Sequence, residues 1–300
     1  MKPDSRLANK IAGKDFIVTA EYLPQPSADA AAVKDCAEAL GKGAVAINVS
    51  DNRYGVALSS LAAAVILSQS GVEPVWQLVT RDRNRIALQS DLLGAAALGI
   101  KNVLCLSGYH QALIGCPDSA NVFDIDSIQL IATVRKMNEG TLIDGTAIKG
   151  AFGMLVGAAA SPGLMPLELN MLRMRKKVLA GADFIQTQAV FDVDGFKQWL
   201  SAARAEGITE KTAVLAGVLP LTGAEEARAL NARYTDFNIP DIIIERLEKA
   251  GSAEAQKKEG IKIFAETAGQ LKSLTGLRGI HILCGGNESM LPQIIAAAGL

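Results

Sequence analysis

The sequence predicts an α/β fold of the TIM-barrel class: an eight-stranded parallel (β/α)8 barrel with extra helices before the last strand. Three observations predict it. Eight short apolar runs recur along the 300 residues. Ala/Leu-rich segments of helical period separate most of them. The runs are near-continuously apolar, as strands buried on both faces of a parallel sheet must be. An open doubly wound sheet usually has fewer strands and carries a glycine fingerprint after its first one. Here that place reads Glu21-Tyr22-Leu23-Pro24-Gln25-Pro26, which is no dinucleotide fingerprint.

The predicted strands run from Phe16 to Tyr22, Ala44 to Ser50, Pro74 to Thr80, Asn102 to Ser107, Phe152 to Ala159, Phe184 to Val190, Ala213 to Leu219 and Ile280 to Gly285. Helical spacing covers Asp29 to Leu40, Ala57 to Ser70, Arg83 to Leu98, Ser127 to Asn138, Glu168 to Ala180 and Gly195 to Arg204. Gly41, Gly99, Gly181 and Gly207 stand where helices should stop. Pro162 and Pro166 delay the helix after the fifth strand. Thr222 and Glu225 have the spacing of a capping box. The interval from Leu219 to Ile280 is too long for one strand-helix unit, and its two helical stretches, Ile239 to Ala250 and Ala255 to Leu274, are the extra helices. With no linker rich in Pro, Ser or Gly, residues 1–300 read as one barrel domain with an N-terminal extension of about 15 residues.

Composition excludes several classes. Thirty Lys and Arg against 31 Asp and Glu leave a net charge of -1, so no nucleic-acid partner is indicated. A hydrophobic fraction of 49% with mean hydropathy +0.23 favours a heavily buried chain over a disordered one. The longest apolar stretches fall short of the ~18 residues of a membrane span, and MKPDSRLANK has no apolar signal region, so a cytoplasmic location is expected. Cys36, Cys105, Cys116 and Cys284 are scattered and joined by two histidines only, which signals neither a disulfide framework nor a metal site.

In a barrel of this class the chemistry sits at the carboxyl ends of the strands. Glu21 is the first polar residue there, either a carboxylate paired with Lys or Arg or a proton donor held over the mouth. The next three strand ends, Asn48 to Asn52, Gln77 to Asp82 and Ser107 to Gln111, are rich in amides, hydroxyls and guanidinium. They suit a heteroaromatic ring and phosphates, or serve as ordinary loop caps. His110 reads equally as a site or a loop residue. The run Met171 to Lys177 is the densest basic patch, a solvated helix face or a phosphate clamp. Gln188 can donate and accept, as a pterin-like ring requires, or be satisfied by backbone.

These segments resemble the methylenetetrahydrofolate reductase family, from about Phe16 to the C-terminus. The likeness rests on Phe16 to Pro26, Thr80 to Gly99, Leu104 to Gln111, Lys176 to Asp192, Gly217 to Pro220 and Ala296 to Leu300. Arg81-Asp82-Arg83-Asn84-Arg85 and Asn121 to Ser127 are similar to the short bacterial reductase subunits in particular. The resemblance implies a barrel that binds FAD and reduces 5,10-methylenetetrahydrofolate to 5-methyltetrahydrofolate, or runs the reverse direction. It makes Glu21 the general acid that opens the methylene bridge before hydride arrives from flavin N5, and Gln188 the contact to the folate pterin. It assigns Ser50, Gln77, Asp126, His110, Arg173, Lys176 and Lys177 to the cofactor. Tyr109 takes a folate-side position where reductases usually carry aspartate, and a phenol cannot supply that anion. The resemblance further implies NAD(P)H or an iron-sulfur or flavin-containing redox subunit as electron donor, in a homo-oligomer or hetero-complex. A barrel that binds folate or a partner without catalysis, and a folate-dependent methyltransferase, are the competing readings.

Overall fold

A computed structural model describes residues 3–234 and 237–300; residues 1–2 of the predicted N-terminal extension lie outside it. Eight parallel strands close into a barrel in sequence order, β8 pairing with β1. The strands are β1 (Ile17–Tyr22), β2 (Ala46–Val49), β3 (Pro74–Val79), β4 (Asn102–Leu106), β5 (Leu155–Ala160), β6 (Phe184–Ala189), β7 (Ala213–Val218) and β8 (Gly279–Ile282). The expected (β/α)8 class is therefore the observed one. Strand ends differ by one to three residues, mostly where an apolar run outlasts its ladder, as at both ends of β2, while β5 ends one residue later and β8 starts one earlier than expected.

The helices are α1 (Arg6–Gly13), α2 (Ala31–Leu40), α3 (Ser60–Gln69), α4 (Arg85–Ala97), α5 (Ser127–Asn138), α6 (Leu167–Ala180), α7 (Val193–Ala205), α8 (Ile208–Lys211), α9 (Ala224–Arg233), α10 (Asp241–Lys249), α11 (Ala253–Lys272) and α12 (Leu291–Ala297). None among the described residues is long and apolar enough to cross a membrane. Sequence reasoning found α10 and α11 but not α9, whose start Thr222 marks through a different partner. The Thr222 N–H and hydroxyl both bond Glu226, at 2.6 and 2.7 Å, rather than Glu225.

The N-terminal extension is a plug. Ser5 accepts from the Ala8 N–H and donates to Asn102, while Glu73 accepts from the N–H groups of Arg6 and Leu7, capping α1 with negative charge. Leu7 is thereby driven into an apolar cluster with Ile17, Val75, Leu155, Phe184 and Leu215.

Period two along β1 turns Ile17, Thr19 and Glu21 to the same face. Ile17 belongs to the apolar cluster, Thr19 to a buried polar layer and Glu21 to the mouth. The interior thus grades from hydrocarbon to polar side chains toward the carboxyl ends, filled as such barrels are, layer on layer. Outside, Trp76 donates to Ser60 at 3.0 Å, locking α3 onto β3.

The extra helix α11 meets the chain beyond β7 backbone to backbone. A Cβ at Gly260 would lie 1.7 Å from the Leu221 carbonyl oxygen, a backbone atom that cannot swing aside. Gly260→Ala is expected to cost about 2–3 kcal/mol, the usual range for overpacking being ~1–3. Urea melts check this, and an unchanged midpoint would refute the close approach.

Candidate active site

The carboxyl ends of the strands enclose a chamber of about 250 Å³, lined among others by Glu21, Ser50, Gln77, Tyr109, Gln188 and His281. Five of these are residues expected from the sequence. Below them lies a network of four buried side chains from β1, β2, β6 and β8. Gln186 Nε2 donates to Thr19 Oγ1 at 3.0 Å and to Asn48 Oδ1 at 3.1 Å, and Asn48 Nδ2 donates back to Gln186 Oε1 at 2.7 Å. His281 Nδ1 faces both Thr19 Oγ1, 2.9 Å away, and the Gln186 amide nitrogen, 3.3 Å away, and because an amide nitrogen can only donate, Nδ1 is the acceptor. That assigns the His281 proton to Nε2. Burial, and then the Arg53 charge, pull the His281 pKa down to about 3, so the ring is neutral.

Glu21 is paired, and its partner is a residue that sequence reasoning missed. Arg53 Nη1 lies 2.7 and 3.0 Å from the two Glu21 oxygens, and the side chains are 14% and 2% exposed. Burial works against the Arg53 charge, but Glu21 together with Tyr54 and Tyr109 outweighs it and drives the arginine pKa upward. Arg53 comes from the loop after β2, where neither periodicity nor motif marks it. The only signal was the polar stretch from Ser50 to Arg53.

Neighbouring loops repeat this pairing. Arg81, 2% exposed, grips Asp82 with Nε and Nη2 at 2.7 Å each and donates to the carbonyls of Tyr109 and Asn52. Arg83 holds the buried Asp51, which also accepts from the Val79 N–H. Ser50 donates to Gln77 at a long 3.4 Å.

Gln188 enters the chamber from an irregular stretch of β6, where the register to β7 shifts between Gln186 and Ala189. Thr187 stabilises the shift by accepting from the Gly217 N–H and donating to the Gln188 carbonyl. A Cβ at Gly217 would meet the Thr187 carbonyl oxygen at 2.3 Å, so the close approach needs glycine. The Gln188 amide donates to the Tyr109 hydroxyl at 3.3 Å, and the Tyr109 ring packs on Tyr234 with centroids 4.8 Å apart.

The basic patch divides. Arg173 and Lys177, one turn apart on α6, line a groove of about 120 Å³ that shares Ala159 and Ser161 with the central chamber. Lys177 donates to the Ala159 carbonyl at 2.5 Å. Burial and then the Arg173 charge pull its pKa down to about 8, against a smaller opposing effect of Asp126. Among the described residues no carboxylate ion-pairs with Arg173, Lys176 or Lys177. Two close cations without a counter-ion, joined to a chamber with apolar walls and hydroxyl and amide groups, fit an elongated ligand with a planar end and phosphates. Those are the donor types that the phosphates and the polar ring edge of a flavin nucleotide would take. Lys176 is exposed and outside the groove. Asp126 caps α5 by a reciprocal bond with Gln129, and His110 accepts from the Ala112 N–H in a short 3-10 turn. Neither lines the chamber or the groove.

The profile of the family described as methylenetetrahydrofolate reductase matches residues 6–299. The chain belongs to this family. It is 24% identical over 247 residues to a probable methylenetetrahydrofolate reductase (NADPH) of Caenorhabditis elegans, covering 82% of this chain and 35% of that one. It is 31% identical over 109 residues to methylenetetrahydrofolate reductase 2 of Saccharomyces cerevisiae, covering 34% of this chain and 18% of that one. The chain thus spans about a third or less of the length of these curated relatives. Among solved structures, an uncharacterized protein from Clostridium thermocellum that binds two copies of 5-methyl-5,6,7,8-tetrahydrofolic acid superposes with a TM-score of 0.68 at 12% identity, over 98% of both chains. That likeness establishes the barrel alone. A 2,3-dimethylmalate lyase reaches a TM-score of 0.52 at 15% identity, over 97% of this chain and 84% of that one.

The neutral His281 has a pH consequence. Its folded pKa of about 3 lies below the ordinary 6.5, so the unfolded chain takes up the proton first on acidification. Its contribution to stability is full above pH 6.5 and is lost as the pH falls from there toward about 3. Imidazole NMR should show an unprotonated ring with hydrogen on Nε2 at pH 5, and His281→Gln should flatten the acid loss of melting temperature. A protonated ring at pH 5 would break the assignment.

Proposed function

We propose that the chain is a folate-dependent oxidoreductase that interconverts 5,10-methylenetetrahydrofolate and 5-methyltetrahydrofolate, with FAD as its redox cofactor. One observation carries this reading: a buried carboxylate, Glu21, and an amide that can read a pterin edge, Gln188, line one chamber at the mouth of a barrel of this family. The folate bound by the similarly folded Clostridium thermocellum protein supports the substrate class.

In this reading Glu21 holds a proton near folate N10 and gives it up as the methylene bridge opens, and takes it back in the reverse direction. Gln188 donates and accepts at the pterin ring, oriented by the irregular β6 stretch behind it and by Tyr109 beside it. Ser50 and Gln77 would bond the polar edge of a flavin ring, and Arg173 and Lys177 would hold its phosphates. When bound, FAD supplies or accepts the hydride through its ring. The apolar residues Leu104, Leu106 and Leu283 line the same chamber and keep water from it. NAD(P)H, or a redox subunit of the kind that the likeness to short bacterial subunits implies, delivers the electrons.

The decisive test follows the flavin band anaerobically in chemically reduced, FAD-reconstituted protein after 5,10-methylenetetrahydrofolate is added. Reappearance of oxidised flavin with 5-methyltetrahydrofolate formation is expected; persistently reduced flavin favours a barrel that binds folate without turnover, a reading to which Tyr109 lends weight. Glu21→Gln should slow reoxidation by about 10²–10⁴-fold, the usual worth of a general acid, and an unchanged rate would remove Glu21 from that role. The pair Arg173→Ala and Lys177→Ala should weaken FAD binding by roughly 10–100-fold, read by fluorescence quenching, as lost charge-assisted bonds would.

A further inference from the structure

Arg53 stands at a junction. Beside the central chamber lies a second one of about 280 Å³ under α9, lined by Tyr54, Leu230, Arg233, Tyr234 and Phe237. Glu21, Arg53 and Leu283 line both.

Three arginines border these chambers, and each has the side-on pair of donors, Nε and Nη2, that matches a carboxylate. In Arg81 that pair is taken by Asp82. In Arg233 it is taken by the Leu113 carbonyl. Arg53 spends only Nη1, on Glu21, and its Nε and Nη2 engage no acceptor among the described residues. Its guanidinium also lies 5.4 Å from the Tyr54 ring centroid, which braces the plane without using a donor. Pairing leaves this one fork, held in place by an ion pair and a ring, open where two chambers meet.

We propose that Arg53 determines specificity for an acidic substrate: its Nε/Nη2 edge takes a carboxylate of the ligand while Nη1 keeps Glu21 in position. Resting on the folate reading above, this makes the carboxylate that of the glutamyl tail, with the aromatic chamber receiving the arm that carries it. One guanidinium then bridges two anions through different nitrogens.

The test compares binding of 5-methyltetrahydrofolate and its glutamate dimethyl ester, identical in rings and arm but without the charges, by calorimetry on the full chain. Wild type should favour the free acid by roughly 10–100-fold, the range for a charge-assisted bidentate contact. Arg53→Met should bring the ratio of acid to ester affinity to about one, a ratio in which any displacement of Glu21 cancels, and a retained circular dichroism spectrum shows that the variant is folded. Arg53→Lys, with charge but no fork, should fall between. Equal binding of acid and ester by wild type, or a preference that survives Arg53→Met or stays full in Arg53→Lys, overturns the proposal while the folate reading stands. Failure of wild type to bind either form overturns both.

Discussion

Closure of β8 onto β1 is the constraint on which the remainder depends. Its register sets Thr19 opposite His281 across 262 positions of sequence, and the same closure brings β2 and β6 within reach of them through the barrel interior. Parallel pairing fixes which face each residue occupies, because a slip by one would turn every inward side chain outward. A shifted β1 would put Glu21 among the helices and take Thr19 away from the Gln186 amide and the His281 ring in the core. A buried amide without a partner costs ~1–3 kcal/mol, so the polar layer selects the register as much as it exploits it.

Above that layer, the mouth is organised by charge. Glu21 with Arg53, Asp51 with Arg83 and Asp82 with Arg81 place three carboxylates and three guanidiniums around the chamber, each cation matched to an anion. Buried pairs of this kind contribute little net stability, since desolvation offsets attraction, but removing one member costs about 3–5 kcal/mol. Their effect is to hold side chains at fixed places in a region made of loops. Arg81 illustrates it: one side chain ties the loops after β2, β3 and β4 through Asn52, Asp82 and Tyr109.

The strands and the residues on them were legible because burial and period are written locally. Glu21, Gln77 and Gln188 each interrupt an apolar run, and an interruption near the carboxyl end of a barrel strand points to the mouth. His281 interrupts one too, between Ile280 and Ile282, but the network that gives it meaning is assembled from distant strands. Arg53 was illegible for a different reason. It lies on a loop, where side-chain direction follows from the fold and not from spacing, and its partner is 32 residues away. The basic helix was half legible: its charge is plain, but only a helical wheel separates Arg173 and Lys177, which share a face, from Lys176, which does not. The N-terminal helix was read as an extension because eight residues with two cations carry little apolar signal beyond Leu7 and Ile11.

Tyr109 joins the two chambers of the mouth. Arg53, Arg81 and Arg83 already have their carboxylates, so an aspartate at this position would add an anion without a matched cation to the central chamber. A phenol keeps the local balance neutral, bonds Gln188 and extends, through its packing on Tyr234, the aromatic lining of the neighbouring chamber. The barrel thereby has a continuous surface between the Gln188 amide and the aromatic side of the mouth. The open edge of Arg53 lies along that same surface. In a site so balanced, the charge that a ligand brings is the one left to be answered.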